Sequence, residues 1–217
     1  MPDSNTYKVD GKFHKILQGE DDLGVVIRAH IHIEQQLNEL LGLLCYNFNS
    51  LEKKAGLSYF KKVCLAEALG LMPEMSEILK SLGNLRNDFA HKPDMEIDNS
   101  NASRLYDAFS SDGKKILQHV YNVIRRNSKN KISKSFKKLP SNDRFILLAV
   151  TIQSRLRAEI ILKKDDLKSG ELKFRCECGQ DNLVVLPNKF NNQSKTKEWN
   201  CSVCEKKYQF EFKFTRK

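Results

Sequence analysis

This chain of 217 residues has no long apolar run and fewer acidic than basic residues, and its cysteines are unevenly distributed. No apolar run approaches the ~20 residues that a membrane-spanning helix needs, and residues 1–19 lack the apolar core of a secretory signal peptide. We therefore expect neither a membrane protein nor a secreted one. Cys45 and Cys64 stand alone within helical patterns, and the other four cysteines cluster near the C-terminus, which favours a reducing, cytoplasmic setting.

The shortage of acidic residues leaves a net charge of +10, from 37 basic and 27 acidic side chains. This excess favours acidic partners such as nucleic acid and says nothing about the fold. It is sharpest in residues 125–138, which hold seven basic residues and no acid. Such a stretch is either a solvated, mobile loop or a surface that follows a nucleic-acid backbone, with an affinity that falls steeply as salt rises. The candidate contacts are Arg125, Arg126, Lys129, Lys131, Lys134, Lys137 and Lys138.

Apolar residues recur at intervals of three and four through most of residues 21–168, which predicts a mainly α fold of amphipathic helices. The predicted helices cover residues 21–48, 59–72, 74–91 and 102–126, with a break near Gly113. A last helix is expected from Ser141, which should act as its N-cap. Residues 1–20 are expected to form an N-terminal extension, and residues 47–57 a linker.

The helix predicted over residues 74–91 ends in a compact group of polar side chains. Pro73 suits its first turn, where a missing amide costs nothing, and Pro93 disfavours helical geometry at Lys92. The helix should therefore stop within about a turn of His91. Its apolar face is formed by Met75, Ile78, Leu79, Leu82, Leu85 and Phe89.

Arg86, Asn87 and His91 lie in this last part of the helix. An Arg guanidinium matches phosphate oxygens and a His titrates near neutral pH, so the pair suits proton transfer beside a phosphodiester. Because Arg86 and His91 are five residues apart, an unbroken helix would separate them by about 140°. Either the helix end redirects His91, or both side chains meet partners from another helix or another copy of the chain. The competing interpretation gives Arg86 a surface ion pair and His91 a favourable place in the helix dipole.

Two polar residues, His30 and Glu34, fall in the centre of the apolar stripe of the helix predicted over 21–48. Polar groups that face a core need partners, because burying them unpaired costs roughly 1–3 kcal/mol or more. One hypothesis pairs His30 with Glu34, so that they fix the register of the helix. The other packs this face against the helix that ends at His91, so that Glu34 orients Arg86 or His91.

Two stretches, LGLMPEMSEILKSLGNLRNDFAH and RAHIHIEQQLNELL, resemble the HEPN superfamily and most closely its mannitol-repressor-like branch. The family signature is an Arg, then four to six residues and a His, commonly with a polar residue after the Arg. Arg86, Asn87 and His91 match this signature, and the resemblance covers roughly residues 20–165. Pro93 stands where some toxin members of the family carry a Tyr.

The resemblance implies an HEPN-like helical bundle over residues 21–168 that forms a homodimer. Many such proteins are metal-independent endoribonucleases, used as toxins or in phage defence, and the expected products are 2′,3′-cyclic phosphates. Carried onto this chain, His91 acts as general acid or base, Arg86 stabilises the phosphate and Asn87 positions one of them. Glu34 joins this set from the helical pattern. The implied partners are RNA and an antitoxin or regulatory protein. The alternative is a non-catalytic regulator or adaptor that binds nucleic acid or protein.

Residues 171–217 differ in character, because short alternating runs predict β-strands at 183–186 and 208–214. Cys176 and Cys178 form one knuckle, and Cys201 and Cys204 form another after 22 intervening residues. Four thiolates on paired turns provide the tetrahedral sulfur set that zinc prefers, and so small a module needs such a staple. We predict a structural Zn²⁺, with disulfides or a redox pair as the alternatives.

This module resembles a zinc ribbon, except that its first knuckle has one residue between the cysteines where two are usual. Four sulfur ligands leave no open coordination position, so no catalytic metal is expected. The module holds ten basic and six acidic residues, which suits binding to nucleic acid or protein. The competing interpretation is that it only caps the helical domain.

Overall fold

The computed structural model describes residues 7–92, 94–127, 135–168, 171–185 and 195–212, in two compact units that divide after Ile160. We call the first the helical unit and the second, residues 161–217, the cysteine unit. The predicted fold class is confirmed at its coarser level, because the described residues are mainly helical with a few short antiparallel strands near the C-terminus. None of the described helices is long and apolar enough to cross a membrane.

Eight α-helices lie within the described residues, and a short 3-10 helix covers Phe136–Lys138. The predicted helical segments overlap them, with shifted ends. The helices are α1 (Gly11–Gln18), α2 (Asp22–Leu44), α3 (Phe48–Ala55), α4 (Tyr59–Ala68), α5 (Pro73–His91), α6 (Asn99–Asp107), α7 (Ser111–Asn127) and α8 (Ser141–Lys168).

Local capping explains two helices that lie where none was predicted. The Asp10 carboxylate accepts hydrogen bonds from two backbone N–H groups of the first turn of α1, within the predicted N-terminal extension. Asn47 caps α3 in the same manner, and Gly56, with a φ of 55°, ends that helix. The predicted linker over residues 47–57 is therefore wrong, and so is the continuous helix over 21–48.

Two other predicted boundaries also differ. The fourth predicted segment divides at residues 108–110 and not at Gly113, which lies inside α7. A Cβ atom on Gly113 would collide with the Glu74 carboxylate, so this glycine permits close packing instead of a turn. Ser141 is the first residue of α8 and not its N-cap, because the Pro140 carbonyl already accepts an intrahelical hydrogen bond.

α2 and α8 form the centre of the helical unit. α2 packs against α1, α3, α4 and α5, and its buried face is centred on Ile33 and Leu37. α8 is buried on every side over residues 145–156. A helix without a solvated face over three turns belongs to the interior of a bundle. The other helices therefore cover these two.

A buried ion pair holds the start of α5 in place. Arg155 of α8 donates from its two terminal nitrogens to the two carboxylate oxygens of Glu74, at 2.9 and 3.0 Å. The Ser110 backbone N–H donates to the same carboxylate at 3.0 Å. Burial alone would raise the pKa of Glu74, but these hydrogen bonds lower it from 4.5 to about 2. α5, α8 and the turn before α7 thus meet at one carboxylate.

The described part of the cysteine unit holds the last residues of α8 and two antiparallel hairpins. β1 (Glu171–Arg175) pairs with β2 (Asp181–Val185), and β3 (Lys195–Asn200) pairs with β4 (Lys207–Phe212). These strands overlap those predicted at 183–186 and 208–214, although Leu186 and Phe214 lie outside the described residues. The Phe174 ring joins the hairpins, with its centroid 5.3 Å from that of Trp199 and 5.1 Å from that of Tyr208.

Candidate functional site

The C-terminal end of α5 lies where the prolines predicted it. Pro73 is the first helical residue and His91 the last, and the Lys92 N–H donates to the Asp88 carbonyl oxygen. Pro93 itself lies outside the described residues. His91 is exposed, and within the described part of the chain no hydrogen bond or ion pair engages its side chain. Its imidazole is therefore free to meet a ligand or a second chain.

Arg86 and Asn87 are exposed on the turn before His91. The Arg86 guanidinium donates to Asn87 Oδ1 at 3.1 Å, which orients it along the helix surface. Among the described residues no acid pairs with Arg86, so the predicted surface ion pair is absent. The neighbouring acid, Asp88, binds Arg104 at 3.2 Å instead. Most N–H donors of the Arg86 guanidinium thus stay available.

A cavity of about 410 Å³ opens beside Arg86, between α2, α4 and α5. It brings together three residues of the predicted catalytic set, namely Glu34, Arg86 and Asn87. His91 is not among the lining residues, because the helical rotation carries it to another part of the α5 surface. The other lining residues are His30, Leu57, Ser58, Tyr59, Phe60, Lys80, Gly83 and Asn84.

A lysine holds Glu34 in this cavity. The buried Lys62 ammonium donates to Glu34 Oε1 at 2.9 Å and lies 2.6 Å from Glu52 Oε1. Burial lowers the pKa of Lys62, but the hydrogen bonds to Glu52 and Glu34 raise it above its ordinary value, so the ammonium stays charged. This contact differs from the predicted one, in which Glu34 orients Arg86 or His91.

His30 lies beside Glu34 without a hydrogen bond to it. Its Nδ1 is 3.8 Å from Glu34 Oε2, beyond hydrogen-bonding reach, so the predicted pair is only a close contact. The ring is 4% exposed and packs on Tyr59 with 4.3 Å between the ring centroids. Burial lowers the pKa of His30, Glu34 opposes this effect, and Arg86 and Lys62 add to it. The imidazole is therefore neutral at neutral pH.

The burial of α2 explains the different surroundings of these two polar residues. Since the buried face is centred on Ile33 and Leu37, His30 lies inside it and Glu34 lies at its edge, with 29% of the side chain exposed. Sequence reasoning placed both residues in the centre of the stripe and assigned His30 no role in a site. The signal for His30 was a polar residue within an apolar stripe, four positions before Glu34.

Tyr59 and Gly83 shape one wall of the cavity. The Tyr59 hydroxyl donates to the Leu79 carbonyl oxygen at 3.0 Å, and a Cβ atom on Gly83 would lie 2.7 Å from the Tyr59 ring. Gly83 therefore lets the ring lie directly against α5. Burial raises the pKa of Tyr59, and Glu34 adds to the rise, so the hydroxyl remains protonated.

The structure describes the two ends of the basic segment of residues 125–138. Its first residues belong to the last turn of α7, and its end forms the 3-10 helix, whose Phe136 is buried and stacks on Tyr106 with 5.5 Å between centroids. This packing anchors the C-terminal side of the segment. Of the predicted nucleic-acid contacts, Arg125, Arg126, Lys137 and Lys138 are described, whereas Lys129, Lys131 and Lys134 lie outside the described residues.

The four predicted metal ligands come together in the cysteine unit as free thiols, with all four Sγ atoms within 4.8 Å of one another. Cys176 Sγ is 3.5 Å from Cys204 Sγ, and Cys178 Sγ is 3.7 Å from Cys201 Sγ. Disulfide sulfurs would lie ~2.05 Å apart. Four zinc–sulfur bonds of ~2.3 Å in a tetrahedron place the sulfurs about 3.8 Å apart. The cluster therefore has the size of a tetrahedral metal site.

Hairpin geometry accounts for the unequal spacing of the two knuckles. The first knuckle is the hairpin loop 176–180, and the second is the loop 201–206, which is one residue longer. In each loop the N–H of the first cysteine donates to the carbonyl oxygen of the last residue. The chain turns through the left-handed region at Gly179 and Glu205, with φ of 89° and 57°. The shorter first loop thus needs one residue fewer between its cysteines.

Hydrogen-bonding groups surround two of the sulfurs. The Tyr208 hydroxyl is 3.0 Å from Cys176 Sγ, and Asn182 Nδ2 is 3.8 Å from Cys201 Sγ. The Tyr208 hydroxyl lowers the pKa of Cys176, and backbone N–H groups of the second knuckle lower the pKa of Cys201 to about 6. Backbone N–H groups also lower the pKa of Cys178 and Cys204, but the neighbouring sulfurs raise it above its ordinary value. The reason is that four thiolates so close together repel one another unless a cation lies between them.

Fold and site together define a mainly α-helical protein with a polar cavity beside α5 and a separate cluster of four cysteines. No family model, curated protein or solved structure matches this chain. The HEPN resemblance therefore stays a prediction from sequence, and the function has to be argued from the residues of these two sites.

Proposed function

We propose that the helical unit is a metal-independent endoribonuclease of the HEPN type, acting as a toxin or phage-defence effector. The observation that carries the proposal is the exposed Arg86, which has no acidic partner among the described residues and lies at the cavity with Asn87. A guanidinium in this state attracts a phosphate group and can bind it with two parallel hydrogen bonds. His91 at the end of the same helix is exposed and supplies the imidazole.

In the proposed reaction, His91 takes the proton of a ribose 2′-hydroxyl, and the 2′-oxygen forms a bond to the adjacent phosphorus. The bond from phosphorus to the 5′-oxygen breaks, and the leaving oxygen takes a proton from a second acid. Arg86 offsets the negative charge that develops on the phosphate oxygens, and Asn87 orients the guanidinium through their 3.1 Å hydrogen bond. The products are a 2′,3′-cyclic phosphate and a 5′-hydroxyl.

A homodimer is part of this proposal. Within one chain the cavity beside Arg86 does not include His91, so a phosphate held there lacks both of the proton-transfer groups that the reaction needs. In the proposed dimer, two copies associate near the end of α5 and bring both His91 imidazoles to one phosphate, one as the base and the other as the second acid. The purified protein should therefore sediment as a dimer, and dilution below its dissociation constant should lower the cleavage rate per chain.

The direct test is cleavage of single-stranded RNA by the purified protein in EDTA. Wild type should leave 2′,3′-cyclic phosphate ends. His91→Ala should cleave about 10²- to 10⁴-fold more slowly, which is the usual contribution of a general acid or base. Because His91 is exposed, the circular dichroism of the His91→Ala variant should match that of wild type. The control variant is His119→Ala on α7, which should cleave at the wild-type rate. Undiminished cleavage by His91→Ala would reject the assignment.

A non-catalytic regulator or adaptor that binds nucleic acid or protein is the second candidate. It is favoured by the position of His91 outside the cavity, and by the exposed Arg126, Lys137 and Lys138. This candidate predicts RNA or DNA binding that weakens as salt rises, with no turnover. Affinity should then be equal in wild type and Arg86→Ala. A binding titration at two salt concentrations, with a cleavage assay in parallel, separates the two candidates.

We also propose that Cys176, Cys178, Cys201 and Cys204 bind a structural Zn²⁺. The support is the spacing of their sulfurs, which matches a tetrahedral sulfur set. Such an ion links two hairpin loops, and a single hairpin is marginally stable at best in water. Its four sulfur ligands leave no position for a substrate, so its contribution is to stability and not to catalysis.

A further inference from the structure

We propose that the cavity between α2, α4 and α5 is a nucleotide-binding site, in which Arg86 contacts the phosphate and Phe60 contacts the base. His30 and Glu34, on the α2 wall, contact the ribose. This proposal deepens the proposed ribonuclease function. It takes RNA as the source of the nucleotide, and that choice rests on the ribonuclease proposal. The site itself can be tested without any cleavage.

The size of the cavity suits a single nucleotide. Its volume of about 410 Å³ lies within the ~300–1,000 Å³ that small-molecule sites occupy. Three helices contribute to its walls, and both apolar and polar side chains line it. A strand of RNA can therefore place one nucleotide in the cavity while its neighbours remain outside.

The charges in the cavity point to Arg86 as the phosphate contact. Lys80, the other cation that lines it, lies 2.9 Å from the Glu77 carboxylate and 3.3 Å from that of Glu67. Those two acids neutralise Lys80, whereas among the described residues the hydrogen-bond partner of Arg86 is the uncharged Asn87 side chain. The Arg86 guanidinium therefore has no acid in direct contact among the described residues, while Glu34 in the same cavity is bound by Lys62, and the planar donors of the guanidinium match the geometry of phosphate oxygens.

Phe60 provides an aromatic face at the mouth of the cavity. It lies in the first turn of α4 and is 59% exposed, whereas Phe13, Phe89 and Phe109 of the helical unit are buried. A nucleobase that stacks on this ring covers apolar surface on both partners, and such stacking tolerates any base. The apolar Leu57 lies beside it in the cavity wall.

His30 and Glu34 supply hydrogen-bonding groups at the buried wall. Glu34 Oε1 already accepts from Lys62, and Oε2 remains able to accept from a hydroxyl. The neutral His30 ring has one donor and one acceptor, it is 4% exposed, and within the described residues it makes no hydrogen bond. A ribose offers more hydroxyl groups to this wall than a 2′-deoxyribose does. The cavity should therefore prefer ribonucleotides.

The test is an NMR titration of His91→Ala with the four ribonucleoside 3′-monophosphates, which have no leaving group and are not cleaved; this background also removes the His91 resonances from the spectrum. We expect saturable binding, with shifts of the His30 ring resonances and weaker binding of the 2′-deoxy counterparts. Arg86→Gln and Phe60→Ala, each in this background, should weaken binding about tenfold or more. Arg104→Gln is the matched control, because it removes an exposed Arg on α6 that does not line this cavity.

Three results would overturn the proposal. Equal affinity for inorganic phosphate and for nucleotides would reduce the cavity to an anion site. Binding that is indifferent to both Arg86→Gln and Phe60→Ala would place the nucleotide elsewhere. A lack of binding at millimolar nucleotide would reject the site even if wild type cleaves RNA. Conversely, nucleotide binding with no cleavage by wild type would retain the site and reject the ribonuclease.

Discussion

The polar residues of the helical unit obtain their partners from distant parts of the chain. Glu34 bonds Lys62, 28 positions away, and Glu74 bonds Arg155, 81 positions away. Helical spacing grouped Glu34 with Arg86, and the cavity does contain both. The helical spacing gave no reason to expect a buried Lys62, because a lysine on an amphipathic helix is ordinarily solvated. Such pairings depend on how helices pack and not on spacing within one helix.

At this scale the Glu74 carboxylate makes a pH-dependent contribution to stability. Glu74→Gln should lower the free energy of unfolding at pH 7 by about 1–3 kcal/mol, because the buried Arg155 loses its charged partner. The pKa of Glu74 is about 2 in the folded chain against an ordinary value of 4.5. Its contribution is therefore complete above pH 4.5 and is lost as the pH falls towards 2. Urea denaturation at pH 7 and pH 3 should show the gap between wild type and variant narrowing.

Glu77→Gln is the matched control for this measurement. Glu77 lies in the same helix, has 66% of its side chain exposed and pairs with Lys80 at 2.9 Å. An exposed pair of this kind contributes about 0–1 kcal/mol. The control should therefore stay close to wild type at both pH values. A gap for Glu74→Gln that is as wide at pH 3 as at pH 7 would contradict the assigned pKa.

Among the helices, prediction from sequence succeeded where the residues that mark helix ends agreed with the apolar periodicity. α5 has a Pro in its first turn and six apolar positions on one face, and its observed bounds are Pro73–His91. Prediction failed for α3, which has eight residues and depends on the Asn47 cap and on burial of Phe48. Helices this short are unstable alone, so tertiary packing decides whether they form.

Two glycines in helices should respond to alanine in opposite directions. Gly83→Ala places a Cβ atom 2.7 Å from the Tyr59 ring, and the overpacking should cost about 1–3 kcal/mol of stability. Gly42 in α2 has nothing within 4 Å of an added Cβ, so Gly42→Ala should stabilise by about 0.5–1 kcal/mol through helix propensity. Urea denaturation measures both changes. Stabilisation by Gly83→Ala would show that the ring does not lie against α5.

For the whole molecule, the two units differ in what holds them together. The helical unit has a continuous apolar core, whereas the described strands of the cysteine unit form two hairpins whose loops meet at four sulfurs. A module this small buries too little apolar area to be stable without a cross-link or a bound metal ion. We therefore expect metal binding to determine the stability of the cysteine unit and to leave the stability of the helical unit unchanged.

Cys201→Ser tests this division. Wild type should contain one zinc ion per chain, measured with a colorimetric chelator after reaction of the thiolates releases the metal. The variant should lose this zinc because one of its four ligands is missing. The helical circular dichroism should stay close to that of wild type. Cys64→Ser, whose cysteine lies in α4 outside the cluster, should keep its zinc. Zinc retained at full stoichiometry in Cys201→Ser would contradict the ligand set.

The sequence by itself determined the helical class, the extent of α5 and the identity of the four clustered cysteines. Periodicity, proline positions and knuckle spacing encode these features locally, within one helix or one loop. Only the tertiary structure decided that His30 shares a cavity with Arg86, that Lys62 holds Glu34, and that His91 lies outside. The reason is physical, since the angles and offsets at which helices pack are set by contacts between residues far apart in the chain.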